Sequence, residues 1–235
     1  EHFTRAVLGA GDKGQDGLCR QGGVHVSPGF GGVVDDRTIF ADFAALWPER
    51  FTNMTNGVTP RRWLAQCNPG LSALIDRHVG SSWRLDLDQL QRLKPLAEDA
   101  EFRTAFLAIK HANKQRLADY IRTSIGVEVD AHSLFDVQVK RIHEYKRQLL
   151  NLLHVVTRYL DMLADPQANW VPRTVIFAGK AASSYHMAKQ IIRLIHDVAQ
   201  VVNNDTRLGG RLKLVFVPNY GVSVGEVIRP GADLF

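Results

Sequence analysis

Apolar and polar positions change period near residue 133. Before it, apolar residues recur at helical spacing: Ile39, Phe40, Phe43, Leu46 and Trp47 share one helical face ended by Pro48. Asn68-Pro69 predicts the start of a helix that carries Leu71, Leu74 and Ile75 and stops at Gly80. A longer amphipathic helix follows, with Phe102, Phe106, Ile109, Leu117, Tyr120 and Ile121 on or near its buried stripe. After residue 133 the pattern alternates. Strands are predicted near 134–139, 173–178 and 212–218, with helices over about 145–163 and 184–203. In the first of these helices Leu149, Leu150, Leu153, Val156, Tyr159 and Leu160 recur at helical spacing. Strand, helix, strand, helix, strand predicts an α/β fold, with a parallel sheet closed by right-handed crossovers.

Residues 1–34 break the pattern. Nine of the nineteen glycines fall there, at positions 9, 11, 14, 17, 22, 23, 29, 31 and 32, and no helix or strand period survives. Disorder is the expectation for this segment. Within it, Gly9 to Gly14 fits the dinucleotide fingerprint G-x-G-x-x-G, but no strand precedes it and no apolar helix follows, so it is set aside.

Composition narrows the class. A chain of 235 residues that is 45% hydrophobic can bury a real core in one large domain or two modest ones. No apolar run is long enough to span a bilayer and the first residues lack a signal-peptide pattern, so a cytoplasmic protein is expected. Two cysteines, Cys19 and Cys67, form no C-x-x-C and no metal-ligand spacing, which leaves no metal site, disulfide framework or redox role in view. Net charge of +5 and a pI near 9.4 suit a phosphate-bearing partner. The basic residues are mixed with acids and not interleaved with aromatics as in a stacking platform, so nucleic acid is not the expected partner.

One stretch stands out, Lys140-Arg141-Ile142-His143-Glu144-Tyr145-Lys146-Arg147, with five basic side chains in eight positions counting His143. It lies where the predicted strand 134–139 ends and a helix begins. In open α/β sheets ligands dock at the carboxyl ends of strands, and a helix N-terminus adds unpaired N–H groups, so the turn predicts an anion site with phosphate as its guest. A solvated basic turn is the plain alternative.

The block from Ser133 to Asn151, which contains this turn, resembles a signature of the α-glucan phosphorylases, the glycogen and maltodextrin phosphorylases. Three further blocks agree in order and spacing: Thr55 to Leu64, Gly179 to Ala182 with Tyr185 to Lys189, and Asn219 to Glu226. The resemblance runs from about Asp35 to Asp233. It implies a GT-B architecture of two Rossmann-like domains, here truncated. Residues 1–34 stand outside the family pattern, residues 35–56 would end the N-terminal domain, and residues 57–235 would form an incomplete C-terminal domain. The implied reaction is phosphorolysis of an α-1,4-glucan to α-D-glucose 1-phosphate with pyridoxal 5′-phosphate, in a parent that is a homodimer.

The resemblance also implies residue roles. Arg141 and Lys146 would hold the substrate phosphate, the first as a rigid two-oxygen fork and the second as a point charge. Lys140 and Tyr220 would serve the cofactor phosphate, Trp63 would pack near the cofactor ring, and Asn56 would hydrogen-bond the glucosyl unit. His143 and Tyr145 belong to the same matched block, where holding the turn is the structural reading and direct chemistry the alternative; Tyr185 matches a family aromatic near the site entrance, with surface packing as its plain reading. Several positions depart from the family pattern: Gly221 replaces a basic or other side chain, Gly225 replaces alanine, and Ser183-Ser184 replace Pro-Gly. The chain stops at Phe235, before the glycine-rich loop and the lysine that forms the cofactor Schiff base, so an isolated chain without activity and with marginal stability is expected. Lys180 in Gly179-Lys180 imitates a P-loop, but Thr174 stands where that motif needs glycine. Two rival functions are a nucleotide-sugar GT-B transferase and a noncatalytic polyanion-binding module.

Overall fold

The computed structural model describes residues 24–26, 41–53 and 58–235, so the Gly9–Gly14 motif and Asn56 lie outside the described residues. The chain divides into two compact units, Glu1–Thr59 and Pro60–Phe235.

In the first unit, β1 (Val24–Val26) pairs in parallel with β2 (Phe51–Asn53), and α1 (Ala41–Leu46) lies between them in sequence. β1 falls inside the stretch where no regular element is expected; the Val-His-Val alternation is a short strand signal that the surrounding glycines hide. The helical face around Phe43 is present but exposed: Phe43 and Leu46 are 54% and 67% accessible, and Phe43 stacks on Trp47 with ring centroids 6.3 Å apart.

The second unit opens with a π-helical segment, Arg61–Gln66, and then α2 (Pro69–Val79). Asn68 caps α2 by accepting from the Leu71 N–H at 3.3 Å, Pro69 fills the first turn, and Gly80 ends it at φ 89°, as the sequence signals require. Around α2 a small cluster of Ile75, Val79 and Trp83 packs with Leu64, Leu71, Leu90 and Leu93. α3 (Ala100–Ile125) is capped by Asp99 and closed by left-handed Gly126. Its C-terminal half carries the buried stripe, Leu117 and Ile121, whereas Phe106 is 41% exposed.

Next come β3 (Leu134–Val139), α4 (Gln148–Ala164), β4 (Arg173–Ala178), α5 (His186–Asn204), β5 (Leu212–Val217) and α6 (Val222–Gly231). The three strands form one sheet in the order β3-β4-β5, all parallel, with Leu134, Arg173 and Leu212 in register. Central β4 is buried from Thr174 to Ala178, the near-continuous apolar run that a parallel strand covered on both faces needs. One face packs Val175, Phe177, Leu214 and Phe216 against Leu152, Val155, Ile191 and Ile195 of α4 and α5. The other packs Phe135, Val137, Ile176 and Val215 against Leu117 and Ile121 of α3 and Ile228 of α6. The free edge of β3 is met by residue 234, whose carbonyl accepts from the Val137 N–H at 2.9 Å.

The architecture is therefore α/β, a parallel sheet between helices, as the alternation predicts. Two details differ. α4 begins at Gln148 rather than 145, because Glu144–Lys146 forms a separate 3₁₀ turn that Arg147 breaks at φ 62°. The helix also buries Leu152, Val155 and Met162, leaving Leu149, Leu150, Leu153 and Leu160 exposed. Apolar residues line both sides of this helix, so spacing alone does not say which side meets the sheet. No helix among the described residues is long and apolar enough to cross a membrane.

Candidate functional site

Parallel strands deliver all their carboxyl ends to one rim, and here three chain segments leave that rim together. The ladder continues beyond the strands: the Lys140 N–H donates to the Ala178 carbonyl and the Ile142 N–H to the Lys180 carbonyl, both at 3.1 Å. Arg141 is thereby carried alongside Lys180. Only glycine fits between them, because a Cβ on Gly179 would stand 2.0 Å from the Lys140 carbonyl oxygen.

The basic turn is shaped from inside by side-chain amides, one of them fully buried. Gln148, with no exposed surface, donates from Nε2 to the Arg141 carbonyl at 3.1 Å and accepts from the His143 N–H at 3.3 Å. Gln138 Nε2 donates to the Lys146 carbonyl at 3.0 Å and is itself held by Asn151. His143 accepts from the Tyr145 N–H through Nδ1 at 3.4 Å, a contact within the turn itself. On the outer side the Tyr185 hydroxyl donates to the Glu144 carboxylate at 2.5 Å and accepts from the Glu144 N–H. That carboxylate pushes the Tyr185 phenol above its ordinary pKa.

At the end of β5, Asn219 takes φ 52° and turns the chain into α6. Arg147 and Asn219 are the only non-glycine residues with positive φ among the described residues, and both border this rim. Backbone strain of this kind gathers where function requires a loop shape.

The result is a cleft of about 350 Å³ lined by Trp63, Arg141, Lys180, Tyr220, Gly221, Val222 and Arg229. Three strand ends and the start of α6, whose first turn has no side-chain cap, contribute to it. Trp63 and Tyr220 form an aromatic wall that closes over Gly225, where a Cβ would stand 3.1 Å from the Tyr220 hydroxyl and 3.5 Å from the Trp63 ring. No acid lines the cleft, and Arg141, Lys180 and Arg229 make no ion pair among the described residues. Behind the wall Cys67 donates its thiol to the Trp63 carbonyl, and burial raises the thiol pKa, so it stays protonated near neutrality.

Of the residues singled out in the sequence, the structure brings Trp63, Arg141 and Tyr220 together. Lys140 and Lys146 are off the wall: Lys140 is exposed, and the Lys146 ammonium lies 4.7 Å from the Tyr145 ring centroid. Sequence reasoning missed Lys180 and Arg229. Lys180 does carry a signal, as the first side chain after Gly179 at a strand end. Arg229 had no signal, since it sits within α6.

A Carbohydrate phosphorylase family model matches residues 33–235. The chain belongs to the carbohydrate phosphorylase family. Its α/β sheet is consistent with part of a Rossmann-like domain of GT-B phosphorylases. Among similar proteins are the glycogen phosphorylases of Haemophilus influenzae, 60% identical over 195 residues, and of Synechocystis sp., 53% identical over 197. The human liver form of glycogen phosphorylase is 50% identical over 196 residues. These alignments cover 83% or 84% of this chain but only 23% or 24% of each relative, so this phosphorylase chain spans about a quarter of their length.

Proposed function

We propose that the rim cleft is the phosphate end of an α-1,4-glucan phosphorylase site, and that the protein acts in phosphorolysis of glycogen or a related glucan to α-D-glucose 1-phosphate in the cytoplasm. The observation that carries this reading is the convergence of cations from separate strand ends, none neutralised by a carboxylate, beside an aromatic wall. Such a site pulls a phosphate dianion out of water and holds it by charge-assisted hydrogen bonds. Family membership and the relatives' name favour phosphorolysis over nucleotide-sugar transfer or passive polyanion binding.

The cleft also fits the phosphorylated ring of pyridoxal 5′-phosphate, since it joins cations to the aromatic side chains of Trp63 and Tyr220 and carries no competing acid. Tyr220 and Trp63 would hold that group from the wall, with Lys140, exposed in the neighbouring turn, adding positive charge toward its phosphate. When bound, it supplies a phosphate that relays a proton to the substrate phosphate. Arg141 would clamp orthophosphate, with Lys146 adding positive charge from the turn. During phosphorolysis the glycosidic C1–O4 bond breaks, a phosphate oxygen bonds to C1 and the proton goes to the departing O4. Asn56 would contact the glucosyl unit. The domain assignment fits the same reading, with residues 35–56 closing one GT-B domain and residues 57–235 belonging to the next.

Two measurements test this. Orthophosphate titrated into the chain should bind, and Arg141→Met should weaken binding by about tenfold, the size of one lost charge-assisted contact. UDP-glucose or duplex DNA binding more tightly than orthophosphate would overturn the reading. Exchanging residues 41–235 into the matching segment of the Haemophilus influenzae relative should keep glucose 1-phosphate release, and Arg141→Met in that chimera should abolish it.

A further inference from the structure

Arg229 is the least explained cation of the cleft. Its guanidinium lies 4.0 Å from the Trp63 ring centroid and 5.6 Å from that of Phe235, a stacked position on an aromatic surface. Its Nε is buried and has no hydrogen-bond partner. The Nε atoms of Arg158 and Arg173 are also unpartnered, but those guanidinium groups hold the Val171 carbonyl and the Asp136 carboxylate through other nitrogens. Arg229 has neither a carbonyl nor a carboxylate among the described residues. Glu226, its neighbour three positions earlier on α6, is taken by Arg62 at 2.6 Å.

A desolvated donor with no partner is costly, and one on a guanidinium that pairs with nothing else calls for a cause such as a bound anion. Arg229 borders two cavities. The second, of about 230 Å³, is walled by Asn68, Lys110 and Asn113, whose polar groups already pair: Asn113 donates to Asn68, and Lys110 donates to the Pro230 and Ala232 carbonyls. Nothing on that side asks for an anion. The rim cleft is different, because Arg141 and Lys180 face it equally unpaired. Gly221 leaves room there, since a Cβ at that position would meet only the Asn219 carbonyl oxygen, at 3.9 Å.

We infer that Arg229 is an anion-binding residue of the rim cleft, presenting its fork from the Trp63 face to a phosphate dianion held with Arg141 and Lys180. The inference rests on the phosphate reading of the cleft and adds to it a residue that no motif marks. Trp63 acquires a second role as the platform that keeps the guanidinium flat and oriented. The dianion is either free orthophosphate or the 5′-phosphate of pyridoxal phosphate.

The test follows the Arg229 Nε–H resonance in arginine-labelled protein, assigned by its disappearance in Arg229→Lys, while orthophosphate is added. Affinities of Arg229→Met, Arg229→Lys, Arg141→Met and Arg193→Met are measured alongside, the last altering an exposed α5 pair with Asp197. The resonance should shift with saturation, Arg229→Met should lose about tenfold in affinity, Arg229→Lys should recover most of it, and Arg193→Met should bind like the parent. Titrating pyridoxal 5′-phosphate against pyridoxal separates the two sources, because the ligand whose affinity falls in Arg229→Met is the one Arg229 holds. An unshifted resonance and unchanged affinities for both phosphates in Arg229→Met, with Arg141→Met still defective, would overturn this inference and leave the phosphate reading standing. A parent chain that binds neither phosphate would overturn both.

Discussion

The two ends of the sheet treat charge in opposite ways. At the amino end of the strands the cations find partners within the chain: Arg173 pairs with Asp136 at 3.0 Å, Lys114 with Asp233 at 2.6 Å and Arg207 with Asp205 at 2.6 Å, while Arg211 and Lys213 donate to backbone carbonyls. At the carboxyl end Arg141, Lys180 and Arg229 surround a cleft with no acid on its wall. Both ends are built on the same strands and the same core, so neither burial nor hydropathy separates them. What separates them is completion: the amino end satisfies its charges within the chain, and the carboxyl end leaves Arg141, Lys180 and Arg229 without an acid among the described residues.

Substitutions can break this contrast, and the largest effect belongs at the rim backbone. Gly179→Ala puts a methyl group against the Lys140 carbonyl and should cost about 3 kcal/mol in urea unfolding while also removing orthophosphate binding. Unchanged stability would mean that the two outgoing segments are not held together. Asp233→Ala comes next. It strands the nearly buried Lys114 ammonium and frees the Phe135 N–H, so about 2 kcal/mol should be lost, discounted for the partial exposure of the acid. Phosphate affinity of the folded variant should stay within about twofold of the parent, because this lesion is at the other end.

Acid and alkali sharpen the comparison. The Arg207 guanidinium and the Tyr159 hydroxyl hold the Asp205 carboxyl well below the usual carboxylate range. The folded state therefore binds fewer protons, so this contribution is full above the ordinary carboxylate pKa of about 4 and is lost as pH falls through the folded value. Melting scans of Asp205→Asn should show a flatter acid limb than the parent. The smallest effect is at Tyr185, whose phenol is raised by Glu144. Its contribution is full below a pH of about 10 and is lost as pH rises through the folded value, so Tyr185→Phe should flatten the alkaline limb and lower the melting temperature by roughly 1–2 °C.

Much of the fold was legible because its signals are local. Asn68-Pro69 and Gly80 bound α2, and the run from Arg173 to Ala178 reads as a strand buried on both faces. The face of α4 was not legible, since leucines lie on both sides and only packing on the sheet selects Leu152 and Val155. At the candidate site the four sequence blocks located Trp63, Arg141 and Tyr220, which meet only because parallel strands end at one rim. Lys140 and Lys146 share the basic turn with Arg141 but do not line the cleft, which charge density alone could not reveal. Arg229 escaped notice because a cation inside an amphipathic helix looks like surface until its stacking on Trp63 is seen.

Gln148 has a further consequence. Its amide grips the loop on both sides of Ile142, at the Arg141 carbonyl and the His143 N–H, from a position that no solvent reaches. The loop's conformation is thus settled when the core closes, and an oxyanion binding there as proposed would meet a loop already shaped. Little ordering is left for the encounter, so capture and release at this rim should be fast and governed by ionic strength rather than by loop rearrangement.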